Sequence, residues 1–200
     1  MVIKEKFICG IDEAGRGPLA GPVVVAAVIF QKGQCINGVK DSKKLTQLKR
    51  EELFDIIINS CKSYSICEID NQSIDEINIL NSTMLGMQNN LEKLDLTDTK
   101  VLIDGNYFKL KEGKEKEYNF ETIVKGDEKI FEISAASILA KVHRDRLMQN
   151  LDLKYPQYLF RKNKGYGTKE HIEAILSYGL SEVHRVTFCR NLMQTKIFNG

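Results

Sequence analysis

The sequence predicts an α/β domain with a helical C-terminal part, on three observations. Short runs rich in β-branched and apolar residues recur through the first 125 residues, and stretches with apolar residues at helical spacing separate them. Beyond Asn150 the texture changes to shorter elements. Two hundred residues can bury one core, and no linker-like stretch divides them. A single domain is therefore expected, about 1–150 forming the sheet-centred core and about 151–200 the helical part. There is no internal repeat or low-complexity segment.

Lys6 to Ile11 and Val23 to Phe30 read as strands around a connection rich in glycine and proline, the first ending at Asp12-Glu13. Thr46 can cap a helix running to about Ser60, with Leu53, Phe54, Ile57 and Ile58 at helical spacing. Tyr64 to Ile69 suits a third strand. Ser73-Ile74-Asp75-Glu76 has the form of a capping box, and Ile77, Leu80, Met84, Met87, Leu91 and Leu94 make an apolar stripe expected to face the core. Val101 to Gly105 reads as a short buried strand that delivers Asp104 at its C-terminal end, where open α/β sheets place ligands. The Lys- and Glu-rich run from Lys109 to Glu117 suits a solvated connection. Glu121 to Val124 is a further strand leading to Lys125-Gly126-Asp127, after which Phe131, Ala135, Ile138 and Val142 mark a helix of small residues suited to packing on a sheet. Tyr155-Pro156 is a break, Thr168 can cap a helix that Gly179 ends, and the tail from Val186 shows no clear period.

Net charge is only +2, so bulk charge does not announce a nucleic-acid binder. Residues 141–200, however, hold 11 Lys and Arg against 5 Asp and Glu, which leaves the rest of the chain at −4. A carboxylate-rich front and a basic back suit a metal site beside a phosphate-binding surface. Five cysteines with no C-x-x-C pair and no secretory signal ahead of them read as reduced thiols of a cytoplasmic protein. His143, His171 and His184 do not combine with them at a zinc-ligand spacing and read as structural or surface groups. The longest apolar run, Val23 to Phe30, is too short to cross a bilayer, so no membrane partner is expected.

Three strands thus bring Asp12-Glu13, Asp104 and Asp127 toward one end of a sheet. A single Asp after a strand is ordinarily a turn residue or a cap, and Asp127 could cap the helix that follows it. Four converging acids are different: Mg²⁺ takes oxygen ligands, keeps several waters and is held by one or two carboxylates plus substrate phosphate. Four acids can hold two ions, one serving the attacking water and the other the leaving oxygen of an in-line displacement at phosphorus.

The run Ile11-Asp12-Glu13-Ala14-Gly15-Arg16-Gly17-Pro18-Leu19-Ala20-Gly21-Pro22 resembles the N-terminal signature of the ribonuclease HII family. Asp41-Ser42-Lys43-Lys44-Leu45, Leu102-Ile103-Asp104-Gly105-Asn106, Lys125-Gly126-Asp127, the Ile133 to Val142 segment and Lys164-Gly165-Tyr166-Gly167-Thr168 resemble its later motifs in the same order, from about residue 7 to 188. The resemblance implies an RNase H-like mixed sheet flanked by helices and a helical C-terminal extension. It also implies Asp12, Glu13, Asp104 and Asp127 as catalytic acids and ligands of Mg²⁺ or Mn²⁺. Cleavage would fall in the RNA strand of RNA–DNA hybrids and 5′ of ribonucleotides embedded in DNA, leaving 3′-hydroxyl and 5′-phosphate ends. Such a role serves ribonucleotide excision repair or DNA replication. In the resembled family the Gly15-Arg16-Gly17 loop senses the ribonucleotide and Tyr166 meets the neighbouring deoxynucleotide. Lys43, Lys44, Ser137 and Lys141 read as phosphate contacts.

Two other classes compete. One is a non-catalytic binder of RNA–DNA hybrids, against which the intact acids argue. The other is a ribonuclease HIII-like or junction-cutting nuclease. The HIII family carries an extra N-terminal domain, for which six residues before the first motif leave no room, and a junction nuclease has no reason for a ribose-sensing loop. Finally, Gln194-Thr195-Lys196-Ile197-Phe198 resembles a sliding-clamp-binding peptide through Gln194, Ile197 and Phe198. A monomer is otherwise expected.

Overall fold

A computed structural model describes residues 5–39, 45–109 and 118–198, with side chains through residue 192. Lys43 and Lys44, most of the Lys109 to Glu117 connection, and the side chains of Gln194, Ile197 and Phe198 lie outside the described residues. Five strands, β1 (Phe7–Ala14), β2 (Val23–Gln31), β3 (Ser63–Ile69), β4 (Thr99–Asp104) and β5 (Phe120–Ile123), make one sheet in the order β3-β2-β1-β4-β5. β2 runs antiparallel to β1 and β3, whereas β1, β4 and β5 are parallel. The mixed sheet is the expected one, but β1 is longer than its sequence suggests. Its pairing with β2 continues to Ala14 opposite Val24, so Asp12 and Glu13 lie inside the strand.

The helices are α1 (Gln47–Ser60), α2 (Asn71–Lys93), α3 (Gly126–Lys129), α4 (Phe131–Lys154), α5 (Phe160–Asn163), α6 (Lys169–Tyr178) and α7 (Val186–Phe198). Strand period decides which of them each residue meets. Val24, Ala26, Val28 and Phe30 of β2 pack on α1 and α4, while Val25, Ala27 and Ile29 join Cys9, Ile11, Val101 and Ile103 against Met87 and Leu91 of α2. Both faces of β2 are thereby buried, which is why its sequence is a continuous apolar run. No helix among the described residues is long and apolar enough to cross a membrane.

At Gly10 the backbone of α4 comes so close that a Cβ would sit 2.1 Å from the carbonyl carbon and oxygen of Glu132. No side-chain rotation can relieve a clash with backbone, so Gly10→Ala must push β1 and α4 apart. We expect a loss of about 3 kcal/mol, read as a lowered urea midpoint at unchanged slope.

Three expectations are corrected. The capping box at Ser73 does not form: Asp70 caps α2 by accepting from the Ser73 amide at 2.7 Å, while Asp75 accepts from the Val186 and Thr187 amides at 2.7 and 2.9 Å and so caps α7 instead. The tail without a clear period is therefore a helix, stabilised across the fold by a carboxylate at its positive end. The apolar stripe of α2 is also broken. Asn78 takes φ 65° and ψ 166° inside the helix, so Ile77 and the stripe from Leu80 onward belong to two helical segments; Met87 and Leu91 are buried, while Leu80, at the start of the second segment, is 43% exposed. Asp127 does not act as the cap of the next helix, since it lies within α3, whose preceding residue, Lys125, is left-handed and makes no side-chain cap.

Candidate active site

The parallel register sets Ile11 beside Ile103, so Asp12 and Asp104 follow at the ends of adjacent strands. Both even-numbered residues point to the α4 side, as Leu102 does, whereas Glu13 points to the α2 side. Asp104 Oδ1 accepts from the Gly126 amide at 2.7 Å, and this bond ties the end of β4 to the short helix that carries Asp127. Asp12, Glu13, Asp104 and Asp127 all line one cleft of about 280 Å³, together with Gly15, Arg16, Gly17, Ser137, Lys141, Arg144 and Tyr166. Of the expected site residues that the structure describes, none falls outside it.

Burial first, and then the adjacent charges of Glu13 and Asp104, push the Asp12 carboxyl well above the usual range, against the hydrogen bonds from Ser137 and from the Glu13 amide at 2.7 Å. Ser137 thus supports an acid from α4. Lys141, one turn further on, lines the cleft with its Nζ 2.6 Å from Asp145. Arg16 is exposed, and its Nη1 lies 3.2 Å from Glu13 Oε1. Tyr166 is half exposed, and a Cβ on Gly17 would lie 3.7 Å from its ring, so the two loops meet. Among the described residues no three His, Cys, Asp or Glu side chains form a ready-made metal cage. An ion that keeps its waters and uses substrate phosphate needs no such cage.

What holds the loops was not legible. Two arginines of 0–1% exposure bond to backbone carbonyls, with no carboxylate among the described residues in hydrogen-bond contact. Arg185 donates to the carbonyls of Gly15 (2.7 Å), Arg16 (2.9 Å) and Gly21 (3.0 Å). Arg144 donates to those of Lys164 (2.9 Å), Pro22 (3.0 Å) and Ala20 (3.1 Å). Gly15, at φ 94°, leaves room for this, since a Cβ there would meet Arg144 Nε at 2.0 Å. Burial lowers both guanidinium pKa values, to about 10 for Arg144 and about 9 for Arg185, and both remain cationic at neutral pH. The basic C-terminal third is thus not simply a phosphate-facing surface. Two of its cations are internal, and Lys141, Lys154 and Lys162 are paired with Asp145, Glu182 and Glu170. Only Arg144 left a signal, because it follows Ser137 and Lys141 at helical spacing on α4.

Beneath Tyr166 lies a buried histidine pair. The Tyr166 carbonyl can only accept, so His171 offers it Nδ1–H at 2.8 Å and keeps Nε2 as an acceptor. His184 Nδ1 accepts from the Ser181 amide at 2.9 Å, leaving its Nε2–H to donate to His171 Nε2 at 3.1 Å. A further proton on either ring would set donor against donor. Burial, and then the partner ring, hold His184 down at about 4, and burial lowers His171 as well. A lowered histidine pKa means that the unfolded chain takes up the proton first, so stability falls as pH drops from about 6.5 toward 4. We expect wild-type melting temperature to fall more steeply over that window than that of His184→Gln. Parallel curves from pH 8 to 4 would remove this assignment.

The family model described as Ribonuclease HII matches residues 9–191. The chain belongs to the ribonuclease HII family. A ribonuclease HII of Francisella tularensis subsp. mediasiatica is 54% identical over 182 residues, covering 91% of this chain and 95% of that protein. Among solved structures, the ribonuclease H2 of Pyrococcus horikoshii OT3 superposes with a TM-score of 0.76 at 28% identity, covering 96% of this chain and all of that one. The ribonuclease HII in the PCNA:RNase HII complex from Archaeoglobus fulgidus gives 0.71 at 27%, covering 92% of this chain and 96% of that one. The fold expected of this family, a mixed sheet with flanking helices, is the one observed.

Proposed function

We propose that this chain is an endoribonuclease that incises the strand on the 5′ side of a ribonucleotide embedded in or joined to DNA, leaving 3′-hydroxyl and 5′-phosphate ends. Endonucleolytic hydrolysis of the RNA of RNA–DNA hybrids comes to it with the family. One observation supports the finer reading most: four carboxylates, the Gly15-Arg16-Gly17 loop and Tyr166 line the same cleft.

In this reading Asp12, Glu13, Asp104 and Asp127 hold Mg²⁺ or Mn²⁺, two ions when substrate is bound. The donor set fits. All four offer hard oxygens, and the repulsion that Glu13 and Asp104 exert on Asp12 is what a divalent cation relieves. Such ions supply a nucleophile at neutral pH and charge against the leaving oxygen. The chain does the rest. Arg185 fixes two carbonyls of the Gly15-Arg16-Gly17 loop and so presents the other backbone polar groups at one position. The ribose 2′-hydroxyl is what distinguishes RNA from DNA there. Tyr166 gives the deoxynucleotide on the 3′ side an aromatic face. Ser137, Lys141, Lys43 and Lys44 contact phosphates.

Cleavage of duplexes containing one ribonucleotide, a run of them or none, with Mg²⁺ and Mn²⁺ compared, tests the reading. Cutting of the all-DNA duplex at a similar rate sinks it, and hybrid binding without metal-dependent cleavage favours the binder instead. A second reading concerns the tail, since the Archaeoglobus fulgidus relative was solved with PCNA. Gln194, Ile197 and Phe198 would dock on a sliding clamp. Equal capture by a clamp of the full chain and of a chain ending before Gln194 removes that idea.

A further inference from the structure

A second groove, of about 100 Å³, opens off the catalytic cleft on the side away from Tyr166. It shares Glu13, Arg16 and Asp104 with the cleft and continues along Asn106, Tyr107 and Leu80, with Thr83 and Met87 buried in its floor. Its two outer apolar groups are conspicuous: Tyr107 is 53% and Leu80 43% exposed. Leu80 stands two residues beyond an irregularity at Asn78. The positive φ there interrupts α2, and the Asn78 side chain restarts the helix by accepting from the Asn81 amide at 3.1 Å, so Leu80 lies in the first turn of the restarted segment. A non-glycine residue at positive φ inside a helix is strained, and such strain concentrates at ligand sites. Here the restarted segment begins beside two of the acids, with Leu80 in its first turn.

We propose that this groove is the subsite for the nucleotide on the 5′ side of the cut, whose sugar packs on Tyr107 and Leu80. The inference rests on the proposed function for its direction. With Tyr166 on the deoxynucleotide 3′ of the ribose, the Gly15-Arg16-Gly17 loop on the ribose and the acids on its 5′ phosphate, the strand's next unit reaches the groove. A paired nucleotide offers a sugar face to an aromatic and an aliphatic side chain, with Asn106 as a polar neighbour. Because Glu13, Arg16 and Asp104 belong to both walls, an occupant of the groove lies next to the acids of the cleft.

The test is a coupling measurement. Wild type, Tyr107→Ala and Tyr107→Phe are assayed on a single-ribonucleotide duplex and on one whose 5′-adjacent nucleotide is replaced by a three-carbon phosphodiester spacer, which lacks sugar and base. On the natural duplex Tyr107→Ala should lose about tenfold in kcat/KM and Tyr107→Phe little. The spacer should slow the wild type, and on it the alanine variant should lose less than twofold further. A tenfold loss by Tyr107→Ala on both duplexes, or none on the natural one, overturns the subsite. Failure of wild type to cut 5′ of the ribonucleotide would instead overturn the function on which it rests.

Discussion

Asp12→Asn is expected to lower kcat by about 10³-fold or more while making the metal-free protein more stable. Metal ligation contributes several kcal/mol to a phosphoryl transition state, and each 1.36 kcal/mol is a factor of ten in rate. The two effects part company because the carboxylate is 5% exposed and faces Glu13 and Asp104. Asparagine keeps an oxygen to accept from the Glu13 amide and from Ser137, and it drops the buried charge. A gain of about 1 kcal/mol is expected in urea melts with chelator present. Single-turnover cleavage and those melts together decide the matter. Undiminished cleavage would remove Asp12 from the metal site, and a large loss of stability would mean that its charge holds the fold together.

The second large effect is expected at Arg185. Replacement by Met leaves the carbonyls of Gly15, Arg16 and Gly21 without their buried donor. Each unsatisfied group costs about 1–3 kcal/mol, offset in part because a desolvated cation is no longer buried, so a net loss of about 3 kcal/mol is expected. Activity should also change in kind, with preference for ribonucleotide-containing over all-DNA duplexes falling more than the cleavage rate itself. Arg185→Lys offers one point charge in place of a planar fork and should recover stability only in part. Denaturant midpoints and the ratio of the two cleavage rates are the readouts. A methionine variant as stable and as selective as wild type would mean that the loop holds its own shape.

The strands and most helices were legible because period-2 and period-3.6 patterns survive in the sequence wherever an element buries one side. Asp12, Glu13 and Asp104 were legible too, since they stand at or near the ends of apolar strands. What was hidden depends on partners far away in the chain. Asp75 could be read as a local cap and instead caps a helix 111 residues later. Arg185 has the composition of a solvated basic tail, and only the folded chain shows three carbonyls closing on it. Leu80 fits the helical stripe, yet it stands in the first turn after the interruption at Asn78 and lines an open groove. In each case a residue of ordinary local preference is redirected by tertiary contacts that spacing cannot encode.

The reach of Arg185 back to Gly15 has a bearing on how the protein is made. All four acids have been synthesised by residue 127, yet the donor that shapes the Gly15-Arg16-Gly17 loop arrives 170 positions after the glycine it holds. Chains emerge N-terminus first, so the loop at Gly15 cannot be fixed until residue 185 has been made and has left the ribosome. The four acids are thus translated well before the arginine that fixes the loop beside them, so the cleft takes its final shape only after the segment carrying Arg185 has folded back.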